Sequence, residues 1–77
     1  MVKAVFYTLG DTFAISHRQD FPTEQEAFDA IRQYAETAGF TRVREVSDED
    51  YETRVTATTP NGRAGRTVGR IEFGWDA

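Results

Sequence analysis

The sequence predicts an α+β fold: a single two-layer domain in which one helix covers one face of an antiparallel β-sheet, in the order ββαβββ. One segment repeats apolar residues at helical spacing behind a capping signal, and five segments are rich in β-branched and aromatic residues. The chain has 77 residues, of which 39% are hydrophobic. That length accommodates one domain, residues 1–77, with a small core.

The first two strands are predicted to form a hairpin. Val2–Leu9 carries apolar residues on both alternating sets, which is typical of a central strand covered on both faces. Gly10-Asp11 matches a two-residue type II′ turn. Thr12–Arg18 then alternates, with Phe13 and Ile15 on one face.

The helix is predicted over Glu24–Ala38. Thr23 and Glu26 form a capping box, in which the Thr hydroxyl accepts from the Glu amide. Gly39 and Phe40 are typical of a Schellman motif at the end of a helix, with Phe40 folding back on the last turn. The apolar positions recur every three or four residues and give one apolar face: Ala27, Phe28, Ile31, Tyr34, Ala35 and Ala38.

Three further strands are predicted after the helix. Phe40–Val46 is the third strand, and Ser47–Asp50 is expected to end it. Tyr51–Thr59 is rich in Thr and Val and forms the fourth. Pro60–Gly65 is a turn, and Arg66–Phe73 forms the fifth strand.

Charge is sorted along the chain. Residues 20–52 hold ten acids and three Arg, a local net charge of −7 within an overall −4. Residues 53–70 hold no acid and four arginines: Arg54, Arg63, Arg66 and Arg70. Such patterning bears on the choice of partner and on association rate, and indicates a binding protein.

The composition excludes several classes of function. There is no cysteine, so disulfides, thiolate catalysis and cysteine-based zinc sites are ruled out. The N-terminal stretch reads as a strand rather than a signal peptide, and no segment approaches the ~20 apolar residues of a membrane span. We therefore expect a cytoplasmic protein without a membrane segment.

No catalytic residue or cofactor is predicted. His17, the single histidine, follows Ser16 in a predicted strand. Adjacent strand residues point to opposite faces, so the two side chains are not expected to pair, and His17 is expected at the surface or an edge.

The densest acidic cluster has three interpretations. It can be a solvated hairpin tip, a protein-binding patch or a cation loop. A calcium loop needs a turn glycine that is missing here, so no metal site is predicted. The cluster consists of Asp48, Glu49, Asp50 and Glu52.

The arginine-rich segment also carries a glycine pattern. Gly62–Gly65 matches the GxxG motif with which KH domains clamp a nucleic-acid backbone, but it lies between two predicted strands, where a hairpin turn is the simpler interpretation. The arginines of this hairpin could still bind phosphate or an acidic protein: Arg54, Arg63, Arg66 and Arg70. Trp75 is expected either to close the sheet or to protrude as a dimer or partner contact.

The chain resembles the small phage- and prophage-encoded type I anti-CRISPR proteins. The resemblance covers the whole chain and rests on general traits: its length, the ββαβββ order, the lack of cysteine and catalytic groups, and the acidic stretch from Asp20 to Glu52. It implies a stoichiometric inhibitor that docks on a protein or ribonucleoprotein effector, its acids standing in for DNA phosphates on a basic channel. The alternatives are a nucleic-acid-binding module that uses the arginine-rich hairpin and a homodimeric regulatory protein.

Overall fold

The computed structural model describes residues 1–10, 14–49 and 52–73, with the backbone alone for 47–49. It confirms the order ββαβββ. The elements are β1 (Val2–Tyr7), β2 (Ile15–Phe21), α1 (Glu24–Thr37), β3 (Thr41–Glu49), β4 (Glu52–Thr58) and β5 (Arg66–Phe73).

The five strands form one antiparallel sheet in the order β2-β1-β5-β4-β3. The two hairpins, β1–β2 and β3–β4, are joined through β5, which hydrogen-bonds to β1 on one side and β4 on the other. Helix α1 connects the edge strands β2 and β3 and packs across one face of the sheet. No described helix is long and apolar enough to cross a membrane.

The core lies between α1 and the sheet. The helix buries Ala27, Ile31 and Ala35, as its periodicity predicted. The sheet contributes Ala4, Phe6, Val55, Ala57, Val68 and Ile71, and Phe40 closes the end. Gly69 lies under the helix: an added Cβ would lie 3.1 Å from Ile31 Cγ2 of α1 and 2.6 Å from the Val5 carbonyl oxygen of the neighbouring strand β1.

Both helix caps agree with the sequence prediction. The Glu26 amide donates to Thr23 Oγ1 over 3.2 Å, and the Thr23 hydroxyl donates to the Glu26 carboxylate over 3.3 Å. At the other end, the amide of Phe40 donates to the Ala35 carbonyl over 3.1 Å, and Gly39 has a φ of 92°. This is the Schellman arrangement, with Ala38 as the cap residue.

The first hairpin connection is longer than predicted. The strands end at Tyr7 and resume at Ile15, and the Thr8 amide donates to the Ala14 carbonyl over 2.7 Å. The predicted two-residue turn is therefore wrong. Its second residue Asp11, and the predicted strand residues Thr12 and Phe13, lie outside the described residues.

The third strand runs further than its propensity indicated. Residues 47–49 were expected to end it, but Ser47 lies opposite Thr53 and Glu49 opposite Glu52. Ladder pairing with β4 satisfies the backbone there, so the polar side chains do not break the strand. The prediction that β3 ends at Val46 is wrong.

Candidate binding surfaces

The charges sorted along the sequence become sorted between the two layers. Acids dominate the helix layer, where Arg32 is the counter-charge on α1. The acids of α1 are Glu24, Glu26, Asp29 and Glu36. The face of the sheet away from α1, called here the open face, carries most of the cations: Lys3, Arg18, Arg44, Arg54 and Arg70. Residues directly opposite on neighbouring strands share a face, which fixes these assignments.

The outward side of α1 is called here the acidic helix face and consists of Glu26, Asp29 and Glu36. Asp29 accepts from Gln25 Nε2 over 3.0 Å and from Arg32 Nη2 over 3.2 Å. The Glu26 carboxylate accepts a hydrogen bond from the hydroxyl of the N-cap residue Thr23. The acids extend over about 15 Å of helix axis, at 1.5 Å per residue.

A second feature of the helix layer is a carboxyl pair between Glu24, at the start of α1, and Glu45 of β3. The pKa of Glu45 is raised to about 7, first by desolvation and then by the hydrogen bond and negative charge of Glu24. Removal from water disfavours the ionised carboxylate, and a neighbouring carboxylate does so further. Glu45 therefore takes up a proton more readily than an ordinary glutamate.

Two parallel rows of side chains cross the open face. The first, called the arginine row, is Arg18, Val5, Arg70, Arg54 and Val46, taken from β2 to β3. The second, called the acidic row, lies two residues along each strand and is Asp20, Lys3, Glu72 and Glu52. Two residues span about 7 Å of strand, so the rows are neighbours.

Local contacts fix part of these rows. Arg70 Nε donates to Glu72 Oε2 over 2.8 Å, and Lys3 Nζ lies 3.4 Å from Asp20 Oδ1. Burial by itself lowers the pKa of Arg70, but the hydrogen bond with Glu72 and the surrounding charges raise it overall. The Arg70 guanidinium therefore stays charged beside Val5, which is fully buried.

Tyr7 holds Arg70 of the arginine row in place. Its side chain is 8% exposed, its hydroxyl accepts from Arg70 Nη1 over 2.7 Å, and its carbonyl accepts from the Tyr34 hydroxyl over 2.6 Å. The guanidinium carbon of Arg70 lies 5.9 Å from the Tyr7 ring centre. Tyr7 and Tyr34 thus pack as internal residues.

The four arginines of residues 53–70 do not form one surface. Arg54 and Arg70 lie side by side in the arginine row. Arg66 instead donates through Nη2 to the carbonyls of Thr8 at 3.1 Å and Gly10 at 3.3 Å, bracing the β1–β2 connection. Arg63 is exposed in the β4–β5 turn.

Arg63 and Arg66 line a groove of about 760 Å³ together with Leu9, Phe40 and Pro60. The glycines of the β4–β5 turn have positive φ, 91° at Gly62 and 79° at Gly65. This is the conformation that a hairpin turn requires, so the GxxG pattern is a turn between two strands.

The remaining predicted site residues are placed only in part. Glu52 lies in the acidic row opposite Glu72, and the backbone of Glu49 pairs with Glu52. Asp48 belongs to β3, with its side chain outside the description. Asp50 and Trp75 lie outside the described residues.

His17 is exposed on the edge strand β2, as expected, but it does pair with its neighbour. Ser16 Oγ lies 3.1 Å from His17 Nδ1, so the prediction that these side chains cannot meet is wrong. The β1–β2 register shifts between Phe6 and Tyr7, which interrupts strict alternation at Ser16. The His17 ring stacks on Phe6 with centroids 4.3 Å apart.

Sequence reasoning missed Arg18 and the two-row pattern, although the sequence carries a signal for both. Three strands place an arginine and an acid two residues apart: Arg18 with Asp20, Arg54 with Glu52, and Arg70 with Glu72. Spacing by two keeps both members on one face of a strand. The described residues contain no cluster of three or more groups suited to a metal ion.

No protein-family model, curated protein sequence or solved structure gives a significant match to this chain.

Proposed function

We propose that this chain is a small non-enzymatic binding protein that docks on a cationic, nucleic-acid-binding surface of a larger effector complex and blocks access of target DNA. The observation that carries the proposal is the sorting of charge between the layers, which gives α1 an outward face dominated by acids. Complementary potentials speed the encounter of such a face with a basic channel. The resemblance to type I anti-CRISPR inhibitors points to the same class of partner.

The docking surface in this proposal is the acidic helix face, Glu26, Asp29 and Glu36. A helix presents these carboxylates from a rigid element, so little conformational entropy is lost on binding. The acidic cluster Asp48, Glu49, Asp50 and Glu52 is a second proposed contact, separate from the acidic helix face because Glu52 lies on the open face. An inhibitor of this kind acts in the host cytoplasm, where the effector meets incoming DNA.

The test is competition for DNA. Purified type I effector complexes of several subtypes are mixed with a fluorescent target duplex and titrated with the chain, and duplex binding is followed by anisotropy. Stoichiometric amounts should prevent binding to at least one subtype. If every subtype binds duplex equally well in excess chain, the proposal is overturned.

A matched pair of variants tests the surface. Gln33→Lys with Thr37→Lys adds two positive charges beside Glu36, at the helix end where lysine also suits the dipole. Asn61→Lys with Ala64→Lys adds the same charge at exposed positions of the β4–β5 turn. Inhibition should weaken by about tenfold in the first variant and persist in the second.

A second candidate function is nucleic-acid binding by the open face. The observation favouring it is the alignment of Arg18, Arg70 and Arg54 in one row across three strands. Binding to phosphates must weaken steeply as salt rises, because counterions are released. An anisotropy titration with a short labelled oligonucleotide tests this, and absence of binding at low salt removes the candidate.

A further inference from the structure

Like charges face each other at the centre of the open face. Arg54 lies directly opposite Arg70, and Glu52 directly opposite Glu72, on the paired strands β4 and β5. Directly opposed like charges destabilise a sheet, since their Cβ atoms are only about 5 Å apart. Two unfavourable like-charge pairs side by side are expected where a surface serves an external partner.

We propose that this partner is a second copy of the chain, which stacks its open face on the first about a two-fold axis. The axis lies in the interface, runs across the strands and passes between the arginine row and the acidic row. Rotation about it exchanges the two rows. Each arginine row then faces the acidic row of the other copy.

The match is made strand by strand. A rotation axis that runs across the sheet leaves each strand over its own counterpart, so an arginine meets the acid two residues away on the same strand of the other copy. Arg18 meets Asp20, Arg70 meets Glu72, and Arg54 meets Glu52, each in both directions. A surface that satisfies itself in this reciprocal way is isologous.

The alternative axis is disfavoured by charge at the central strand. A two-fold axis parallel to the strands and over β5 would place each row on its own copy with the strand order reversed, so that Arg70 meets Arg70 and Glu72 meets Glu72. Juxtaposed like charges oppose association. The axis that runs across the strands is favoured because it alone pairs all three arginines with acids.

Apolar residues at the margins fit the same arrangement. Within the described residues, the exposed large hydrophobic side chains are Met1, at 79%, and Ile15, at 40%. Ile15 lies opposite Tyr7, one row beyond the arginine row, and Met1 precedes β1 two residues from Lys3, one row beyond the acidic row. The proposed axis brings these two outer rows together, so Ile15 of one copy lies near Met1 of the other.

The available area suffices for a weak dimer. Strands spaced by about 4.8 Å and about seven residues long give a five-stranded face of about 24 by 23 Å. Two such faces bury about 1,100 Å² in total, close to the ~1,000 Å² lower limit of a specific interface. Since the surface is charged, we expect a reversible dimer that is sensitive to salt. The dimer covers Glu52, but its acidic helix faces point outward and stay available for the proposed docking function.

The experiment is sedimentation equilibrium of the chain alone, at concentrations up to about 200 μM, in about 50 mM and about 500 mM NaCl. Arg54→Glu places acid against Glu52 of the other copy and should weaken the dimer by about tenfold or more. Adding Glu52→Arg to that variant restores opposite charges across the axis and should recover the dimer. Arg63→Glu makes the same charge change in the exposed β4–β5 turn and should leave the dimer intact.

Circular dichroism melts of each variant establish that the chain is folded. The proposal is overturned if the wild-type chain remains monomeric at low salt and the highest concentration. It is also overturned if the double variant Arg54→Glu with Glu52→Arg stays monomeric while folded, or if Arg63→Glu is as weak as Arg54→Glu. Oligonucleotide binding by a monomeric wild-type chain would assign the open face to nucleic acid instead.

Discussion

The hydroxyl of Tyr7 accepts a hydrogen bond from Arg70 Nη1 over 2.7 Å, diagonally across the neighbouring strands β1 and β5. The same guanidinium donates through Nε to Glu72. Arg70 is thus held from two sides, and with it the middle of the arginine row.

Tyr7→Phe removes the hydroxyl and keeps the ring. The half-buried guanidinium of Arg70 loses one acceptor, so we expect a loss of about 1 kcal/mol in the free energy of unfolding. Urea denaturation followed by circular dichroism measures the change. Lys3→Ala, on the same strand and face but away from Tyr7, serves as control. An unchanged unfolding midpoint for Tyr7→Phe would show that the bond contributes nothing to stability.

Gly69→Ala should destabilise the fold although alanine suits a strand better than glycine. The added Cβ would lie 2.6 Å from the backbone oxygen of Val5, an atom held in the sheet, and close to Ile31. Overpacking of this kind costs about 1–3 kcal/mol. The melting temperature should fall by about 5–15 °C, given the usual proportionality for small domains.

Gly10→Ala is the control for that substitution, because a Cβ at Gly10 meets nothing within 4 Å. A melting temperature for Gly69→Ala equal to that of Gly10→Ala would contradict the close approach of α1 to the sheet.

Glu45→Gln should change how stability depends on pH. The pKa of Glu45 is raised to about 7 in the folded chain, above its ordinary value of 4.5. The folded state therefore binds the proton more tightly, and the resulting stability is present below pH 4.5 and is lost as the pH rises through 7. The glutamine variant lacks this loss, so its melting temperature should fall less between about pH 5 and about pH 8.

Glu36→Gln makes the same chemical change on the exposed side of α1 and is the control for the pH experiment. Parallel pH profiles for wild type and Glu45→Gln would rule out the proposed carboxyl pair with Glu24.

Arg66→Met tests the brace on the β1–β2 connection. Methionine keeps much of the apolar stem but cannot donate to the carbonyls of Thr8 and Gly10. Two charge-assisted hydrogen bonds are lost, and we expect a decrease of about 2 kcal/mol in the free energy of unfolding.

Hydrogen exchange adds a local readout for this variant. The Thr8 amide, which donates to the Ala14 carbonyl, should exchange faster in Arg66→Met than in Arg63→Met, because Arg63 lies in the exposed turn. Equal exchange in the two variants would remove the bracing role.

The helix was predictable because its signals are local. Thr23, Glu26 and Gly39 specify the two ends through short-range hydrogen bonds and backbone preference, and the structure contains the same caps. The predicted bounds of β5, Arg66–Phe73, are identical to the observed ones. The burial of β1 on both faces was predictable because apolar residues occupy both alternating sets of positions along it.

Register was not predictable, and the candidate surfaces depend on it. Strict alternation places Arg66 and Arg70 on one face of β5. In the structure, Val55 lies opposite Gly69 while Thr56 lies opposite Thr67, so Val68 is an extra residue. This bulge turns Arg66 towards the β1–β2 connection and leaves Arg70 on the open face. A register shift depends on pairing between strands that are distant in sequence, so no local stretch of sequence predicts it.

The position of β5 between the two hairpins has a consequence for the folding reaction. The β1–β2 hairpin and the β3–β4–β5 unit each close over short connections, and among the strands the two units meet only where β1 pairs with β5. Local closure takes microseconds, whereas pairings between strands distant in sequence are slow. We therefore expect both units to form early, and we expect the long-range pairing of β1 with β5 to be the rate-limiting step of assembly.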